Sequence, residues 1–222
     1  MTDEIFVIGP DPANWRRLEA IAPEAGVRIQ PLLRYEDVRG EAYPLDDLLA
    51  RAEAELRAAP DPPDALVGFW DFPVSDMVPI LCSRLGLRGP SLEAVVRCED
   101  KYWSRLEQRK VIPECVPRFC RFDPFVDDPL AQIDLAFPFW IKPIKAWRSQ
   151  LGFRIRNRAD FGEAIAVIRA QIERLSGPFN QLLAHLDLPQ GIPGKEGGFC
   201  IAEELIGGHQ CTLEGYSLDG EV

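Results

Sequence analysis

The first 90 residues alternate short apolar runs with amphipathic stretches, and this alternation constrains the fold more than any other feature of the sequence. The apolar runs have the length of buried strands, and the stretches between them repeat apolar residues at helical spacing. Strands that alternate with helices over short links form a parallel sheet covered on both faces. The strand-like runs are 4–9, 27–33 and 65–70, with 87–89 as a candidate fourth, and the helical stretches are 13–25, 45–58 and 74–85.

The turn after the first apolar run disfavours a dinucleotide-binding site. This turn reads Gly9-Pro10-Asp11-Pro12, where a nicotinamide-cofactor enzyme would have GxGxxG. Proline has no backbone N–H, so the turn lacks donors that a pyrophosphate would need. We therefore expect a Rossmann-like unit over residues 1–90 that does not bind NAD(P).

The pattern changes after residue 90, from alternating elements to a series of strands. We predict one helix over 91–110, capped by Ser91. The Asp219-Gly220 pair is a strong hairpin signal, and only two residues follow it. The second part is therefore predicted to be α+β, with strands at 117–122, 137–144, 152–156, 198–205 and 209–218 and a helix at 160–175. Residues 177–198 are predicted to be an irregular excursion, with a candidate short helix at 180–185.

Composition narrows the classes of partner. The chain has 25 basic and 35 acidic residues, which give a formal net charge of −10. An acidic surface without clustered Lys and Arg argues against nucleic-acid binding. No apolar run is long enough to cross a membrane, and the N-terminus does not resemble a signal peptide, so a cytoplasmic protein is expected. With no CxxC pair and only two histidines, a zinc site is not expected.

Three sequence segments place charged residues within or directly after predicted buried elements. Lys101 lies on the predicted helix that follows Gly89-Pro90, and Lys142 interrupts the aromatic run of strand 137–144. Lys145 follows closely, and clustered cations beside an aromatic strand suit phosphate binding. Glu203 and Glu204 end another buried strand, before two glycines. Taken singly, each has a plain alternative: a solvated helix lysine, a lysine whose head reaches solvent at a strand edge, or a charged strand end.

The order and spacing of these phrases resemble the ATP-grasp superfamily, which includes biotin carboxylase, D-alanine–D-alanine ligase and L-amino acid ligases. The resemblance covers about 85–222 and rests on LGLRGPSLEAVVRCEDKYWSRL, FPFWIKP and CIAEELIGG. It implies a Rossmann-like pre-ATP-grasp domain at 1–90, a linker helix at 91–116 and a truncated ATP-grasp domain at 117–222. In this arrangement the magnesium ligands lie beyond residue 222, so no metal ligand and no catalytic residue is assigned.

The resemblance also implies an ATP site. In the family, lysines matching Lys101 and Lys142 contact the ATP phosphates, a flexible loop covers them, and a hinge strand recognises adenine. This chain departs at the covering loop, residues 145–152, which keeps few small residues, and at the ribose position, where Gln210 (or His209, if the register slips by one) replaces the usual Glu. The implied ATP-contacting residues are Lys101, Lys142, Lys145, Ser149, Gly152, Glu203, Glu204, Leu205, Ile206 and Gln210.

The activity implied by the resemblance is that of a carboxylate–amine ligase acting through an acylphosphate. The expected partners are ATP with Mg²⁺ and an unidentified carboxylate substrate, with a homodimer as a further candidate and neither nucleic acid nor membrane. The 222-residue chain is expected to be inactive by itself. The alternative is a non-catalytic nucleotide- or partner-binding module, in which the unpaired strand at 209–218 offers an edge to a partner chain.

Overall fold

Residues 3–67 contain a three-stranded parallel sheet. The structure is a computed structural model that describes residues 2–40, 44–146, 150–188, 198–213, 215 and 217–221. Parallel neighbours place β1 in the centre of the order β2-β1-β3, which confirms the predicted α/β unit. The strands are β1 (Asp3–Ile8), β2 (Val27–Leu32) and β3 (Ala65–Val67).

Helices connect these strands much as the apolar periodicity predicts. The buried residues of α3 repeat at helical spacing and form one apolar stripe: Leu45, Leu48, Leu49, Ala52 and Leu56. In α1, Asp11 accepts the N–H groups of Ala13 and Asn14 and so caps the first turn. The helices of this unit are α1 (Pro12–Ala25), α2 (Tyr35–Val38), α3 (Leu45–Ala58) and α4 (Val74–Leu85).

The candidate fourth strand at 87–89 is not formed. Helix α4 ends at Gly86, which has the left-handed backbone (φ 68°) common at helix ends. The N–H of Leu87 then donates to the carbonyl of Cys82 at 2.9 Å. Because this N–H closes the end of the helix, it is not available to a sheet.

The single helix predicted over 91–110 is two helices, α5 (Leu92–Glu99) and α6 (Lys101–Val111). Asp100 separates them: its backbone is extended, and its side chain accepts the N–H of Trp103 at 2.9 Å. An aspartate in this conformation starts a new helix, since its carboxylate satisfies a free amide of the first turn. Lys101 therefore lies at the first position of a helix.

The second part contains a four-stranded sheet of antiparallel pairs in the order β4-β7-β5-β6. Helix α7 (Arg158–Gln171) covers one face, where its Phe161 and Ile168 join a buried apolar cluster. The strands are β4 (Phe119–Phe122), β5 (Phe139–Pro143), β6 (Phe153–Ile155) and β7 (Cys200–Glu204).

The excursion predicted at 177–198 contains a helix that starts earlier than the candidate at 180–185, because α8 spans Glu173–Leu183. Its buried residues Leu175, Phe179 and Leu182 follow helical spacing and join the core of the first unit. This periodicity outweighs the single Pro178 within the helix. Residues 189–197 lie outside the part of the chain that the structure describes.

The strand predicted at 209–218 is not formed among the described residues 209–213, 215, 217 and 218. No described segment pairs with residues 209–213, and Leu213 is 95% exposed. The predicted hairpin turn at Asp219-Gly220 is present, closed by an antiparallel bridge between Leu218 and Glu221. Within the described residues, no helix is long and apolar enough to cross a membrane.

Candidate functional site

The sheet face opposite α7 holds most of the charged residues of β4 to β7, with Glu204 as the exception. Directly paired residues point to the same face of an antiparallel sheet. One row across this face is Arg121, Ile201 and Lys142, and the neighbouring row is Phe119, Glu203, Trp140 and Arg154. We call these two rows the open face. Helix α6 packs over part of it, where Tyr102 contacts Phe119 and Arg121.

Glu203 is the centre of an ionic group on the open face. Its carboxylate lies 2.6 Å from Nζ of Lys142 and 2.5 Å from Nε of Arg105, which reaches over from α6. Burial alone would raise the pKa of Glu203, but the hydrogen bonds and charges of Lys142 and Arg105 outweigh it and lower the pKa. One carboxylate between two cations leaves a net positive charge, which suits an anionic ligand.

Lys101, the first residue of α6, lies beside the end of β5 and completes a cluster of cations. Its backbone N–H donates to the carbonyl of Ile144 at 3.0 Å, and its Nζ donates to the carbonyl of Ala146 at 2.6 Å. Burial, together with the charges of Lys145 and Lys142, lowers the pKa of Lys101 to about 8. The structure thus brings three of the predicted ATP-contacting lysines together.

The side chain of Lys145 points into the interior of the protein. Its ammonium pairs with Glu99 and lies 4.9 Å from the ring centroid of Phe72 and 5.1 Å from that of Phe179. Its side chain is only 3% exposed. The predicted contact of Lys145 with ATP is untested and stays a prediction.

The side chains of residues 203–206, the segment that matches the family's hinge strand, lie in different surroundings. Glu204 accepts the backbone N–H of Arg118 at 3.1 Å, and its side chain is 44% exposed. Leu205 and Ile206 follow the end of β7 and are exposed, as is Gln210. Recognition of adenine and ribose by these residues stays a prediction, and Ser149 lies outside the described residues.

Gly152 allows the chain to approach the open face closely. A β-carbon at this position would lie 2.8 Å from Cζ2 of Trp140, a rigid aromatic ring. The backbone before β6 can therefore pack on Trp140 only without a side chain at residue 152.

We expect Gly152→Ala to lower the free energy of unfolding by about 1–3 kcal/mol, because the added methyl group must displace the Trp140 ring. Urea unfolding followed by tryptophan fluorescence measures the change. The matched control is Gly162→Ala on α7, where a β-carbon meets nothing within 4 Å. That control should gain about 0.5–1 kcal/mol from helix propensity. Equal effects of the two substitutions would contradict the close packing.

Sequence reasoning missed Arg105, Glu99 and Asp76. Arg105 follows Lys101 by four residues, and side chains at this spacing share one face of a helix, so the sequence did hold a signal. Glu99 and Asp76 carry no comparable signal, because their contacts join segments distant in the chain. Asp76 is fully buried, and its Oδ1 has no hydrogen-bond partner among the described residues.

We expect Asp76→Asn to raise the free energy of unfolding at pH 8 by about 1–3 kcal/mol. Burial, followed by the charge of Glu99, raises the pKa of Asp76 from 3.8 to about 8, against the opposing effects of Lys145 and Ser75. The folded protein therefore keeps a proton that the unfolded chain releases, and stability is lost as the pH rises from about 4 to 8.

The Asp76 prediction is checked by urea unfolding at pH 5 and pH 8. The wild type should lose stability between these values more steeply than Asp76→Asn. Asp47→Asn, at an exposed position on α3, is the control and should keep the wild-type dependence. The same dependence in wild type and Asp76→Asn would contradict a protonated Asp76.

No group of three or more His, Cys, Asp or Glu residues that could hold a metal ion occurs within the described residues.

No family model matches the sequence, and no curated protein sequence matches it. Solved structures do match in fold. An L-amino acid ligase from Bacillus licheniformis is 18% identical, with a TM-score of 0.61, over 92% of this chain and 47% of that chain. The D-alanine–D-alanine ligase from Bacillus anthracis is 15% identical, with a TM-score of 0.60, over 93% of this chain and 59% of that one.

Biotin carboxylase from Campylobacter jejuni, solved as a β,γ-ATP complex, is 16% identical, with a TM-score of 0.59, over 93% of this chain and 46% of that chain. The chain thus spans about half the length of these solved structures. All three are ATP-grasp enzymes, and likeness at this level of identity shows the fold alone. We conclude that the chain adopts part of the ATP-grasp fold.

Proposed function

We propose that the chain is the ATP-binding portion of a carboxylate–amine or related ligase that acts through an acylphosphate. The observation that carries this proposal is the ionic group on the open face, where Lys142 and Arg105 share Glu203 close to Lys101. The fold adds support, since the similar structures include two amino acid ligases and a biotin carboxylase.

ATP fits the donor groups of this surface. The polyphosphate carries several negative charges, and lysine and arginine provide charge-assisted hydrogen bonds to phosphate oxygens. Lys142 and Arg105 are already held in place by Glu203, so little side-chain freedom is lost when an anion binds. Trp140, beside Glu203 on the same face, adds an aromatic surface next to the cations.

ATP would supply the γ-phosphoryl group that converts a carboxylate into an acylphosphate, which an amine or another nucleophile then attacks. The role of this chain in that reaction is to orient the nucleotide and balance its charge. The described residues contain no group of three or more metal-ligating side chains, so we assign no step to a metal in this chain.

Calorimetric titration of the purified chain with ATP tests the proposal. We expect ATP to bind and NAD⁺ to show no heat of binding, because the turn after β1 lacks a glycine-rich pyrophosphate loop. Binding of NAD⁺ without binding of ATP would overturn the proposal. The expectation that the 222-residue chain alone releases no phosphate from ATP stays a prediction, which a phosphate-release assay across candidate amino acids would check.

The alternative of a non-catalytic binding module also stays a prediction. Its partner-binding form relied on a free strand edge at 209–218, and the described residues of that segment do not form a strand.

A further inference from the structure

We propose that Lys145 is a positioning residue, which uses its buried pair with Glu99 to fix residues 144–146 against the first unit. This inference rests on the proposed function, because the fixed segment is the one that holds Lys101 at the nucleotide site. It differs from the family-based expectation that Lys145 contacts ATP directly.

The surroundings of Lys145 have the features of a structural anchor. Glu99, at the end of α5, is its ion-pair partner, with a side chain 12% exposed. Phe72, just before α4, and Phe179, on α8, place their rings around the ammonium. A lysine that is 3% exposed and paired in this way would lose its ion pair and its aromatic contacts if it turned toward the open face.

The anchored segment is tied to the cation cluster through its backbone. Ile144 receives the N–H of Lys101, while its own N–H donates to the carbonyl of Phe199 at 3.0 Å. Ala146 accepts a hydrogen bond from Nζ of Lys101 at 2.6 Å. Residue 145 lies between these two residues, so a fixed side chain at 145 restrains both carbonyls that bond Lys101.

Two roles for Lys145 predict opposite results when Glu99 is neutralised. If Lys145 contacts phosphate, removal of the Glu99 charge frees it, and ATP affinity stays the same or rises. If Lys145 is an anchor, loss of its partner releases residues 144–146, and ATP affinity falls. The hydroxyl of Ser75 contacts the carboxylates of both Asp76 and Glu99, so Asp76 lies beside the pair. The informative variant is therefore Asp76→Asn/Glu99→Gln, compared with Asp76→Asn alone.

We expect Asp76→Asn/Glu99→Gln and, separately, Lys145→Met to weaken ATP binding by about tenfold each. A variant combining Asp76→Asn, Glu99→Gln and Lys145→Met should recover affinity, because methionine packs well between Phe72 and Phe179 and no charge is left unpaired. Calorimetry gives the affinities, and thermal unfolding shows that each variant is folded at the titration temperature. A purely structural lysine would lower the melting temperature and leave the ATP affinity of the folded protein unchanged.

Hydrogen exchange gives a second result that does not depend on ATP. The amides of Lys101 and Ile144 should exchange faster in both weakened variants, while the amide of Leu49 in α3 keeps its protection. Unchanged exchange and unchanged affinity in Asp76→Asn/Glu99→Gln would overturn the positioning role and leave the proposed function intact. Faster exchange in a chain whose wild type binds no ATP would support the anchor and overturn the proposed function.

Discussion

Replacement of Lys142 by methionine is expected to weaken ATP binding by about 10- to 100-fold. The substitution keeps the length of the side chain and removes one charge-assisted hydrogen bond, which contributes about 1.5–3 kcal/mol. It also leaves Glu203 with Arg105 as its only cation among the described residues, so the ionic group changes from net positive to neutral. A neutral group no longer attracts the negatively charged polyphosphate.

The matched control for Lys142→Met is Lys110→Met, at an exposed position near the end of α6. Lys110 pairs with Glu107 on the surface, and the control should leave ATP affinity within about twofold. Calorimetric titrations of wild type and both variants, at one salt concentration, measure the difference. Equal ATP affinities of Lys142→Met and wild type would show that Lys142 does not bind the nucleotide.

Replacement of Glu203 by alanine is expected to lower the free energy of unfolding at pH 7 by about 2–4 kcal/mol. Removal of one member of a buried ion pair leaves the other uncompensated, and here Lys142 and Arg105 would repel one another. The cations are each 23% exposed, so solvent moderates the loss.

Glu204→Ala, which removes the neighbouring carboxylate, is the control. Because the side chain of Glu204 is 44% exposed, its removal should lower the free energy of unfolding by less than about 1 kcal/mol. The pKa of Glu203 lies below its ordinary value of 4.5, so its contribution is present above pH 4.5 and is lost as the pH falls further. Urea unfolding at pH 7 and below pH 4 measures both effects. If Glu203→Ala lost less free energy of unfolding at pH 7 than Glu204→Ala, Glu203 would not be the shared ion-pair partner of Lys142 and Arg105.

The first unit could be predicted from the sequence because its signals are local. The five apolar positions from Leu45 to Leu56 repeat at helical spacing, and burial follows from that spacing alone. The first two strands start and end within two residues of their predicted bounds, since Asp11 and Gly26 mark the adjacent helix ends.

The structure departs from the sequence-based prediction where a non-local contact or the backbone conformation determines which element forms. Asp100 starts a new helix because its carboxylate bonds the N–H of Trp103, an effect that helical periodicity does not register. The segment 209–213 has strand-like alternation, yet a strand forms only where another segment accepts its backbone hydrogen bonds.

The contacts among the candidate site residues could not be predicted from the sequence. Lys101, Lys142 and Glu203 were identified from the family resemblance, and the structure places Lys142 against Glu203. The inward direction of Lys145 follows from Glu99, 46 residues away in the chain, and no sequence spacing indicates that pair.

An amide NMR titration of the isotopically labelled chain with ATP tests the central claim most directly, because it locates the nucleotide. We expect the largest shifts at residues 140–144 and 201–206, with NAD⁺ causing none at matched concentration. Shifts confined to the turn after β1, or none in the second sheet at saturating ATP, would contradict a nucleotide site on the open face.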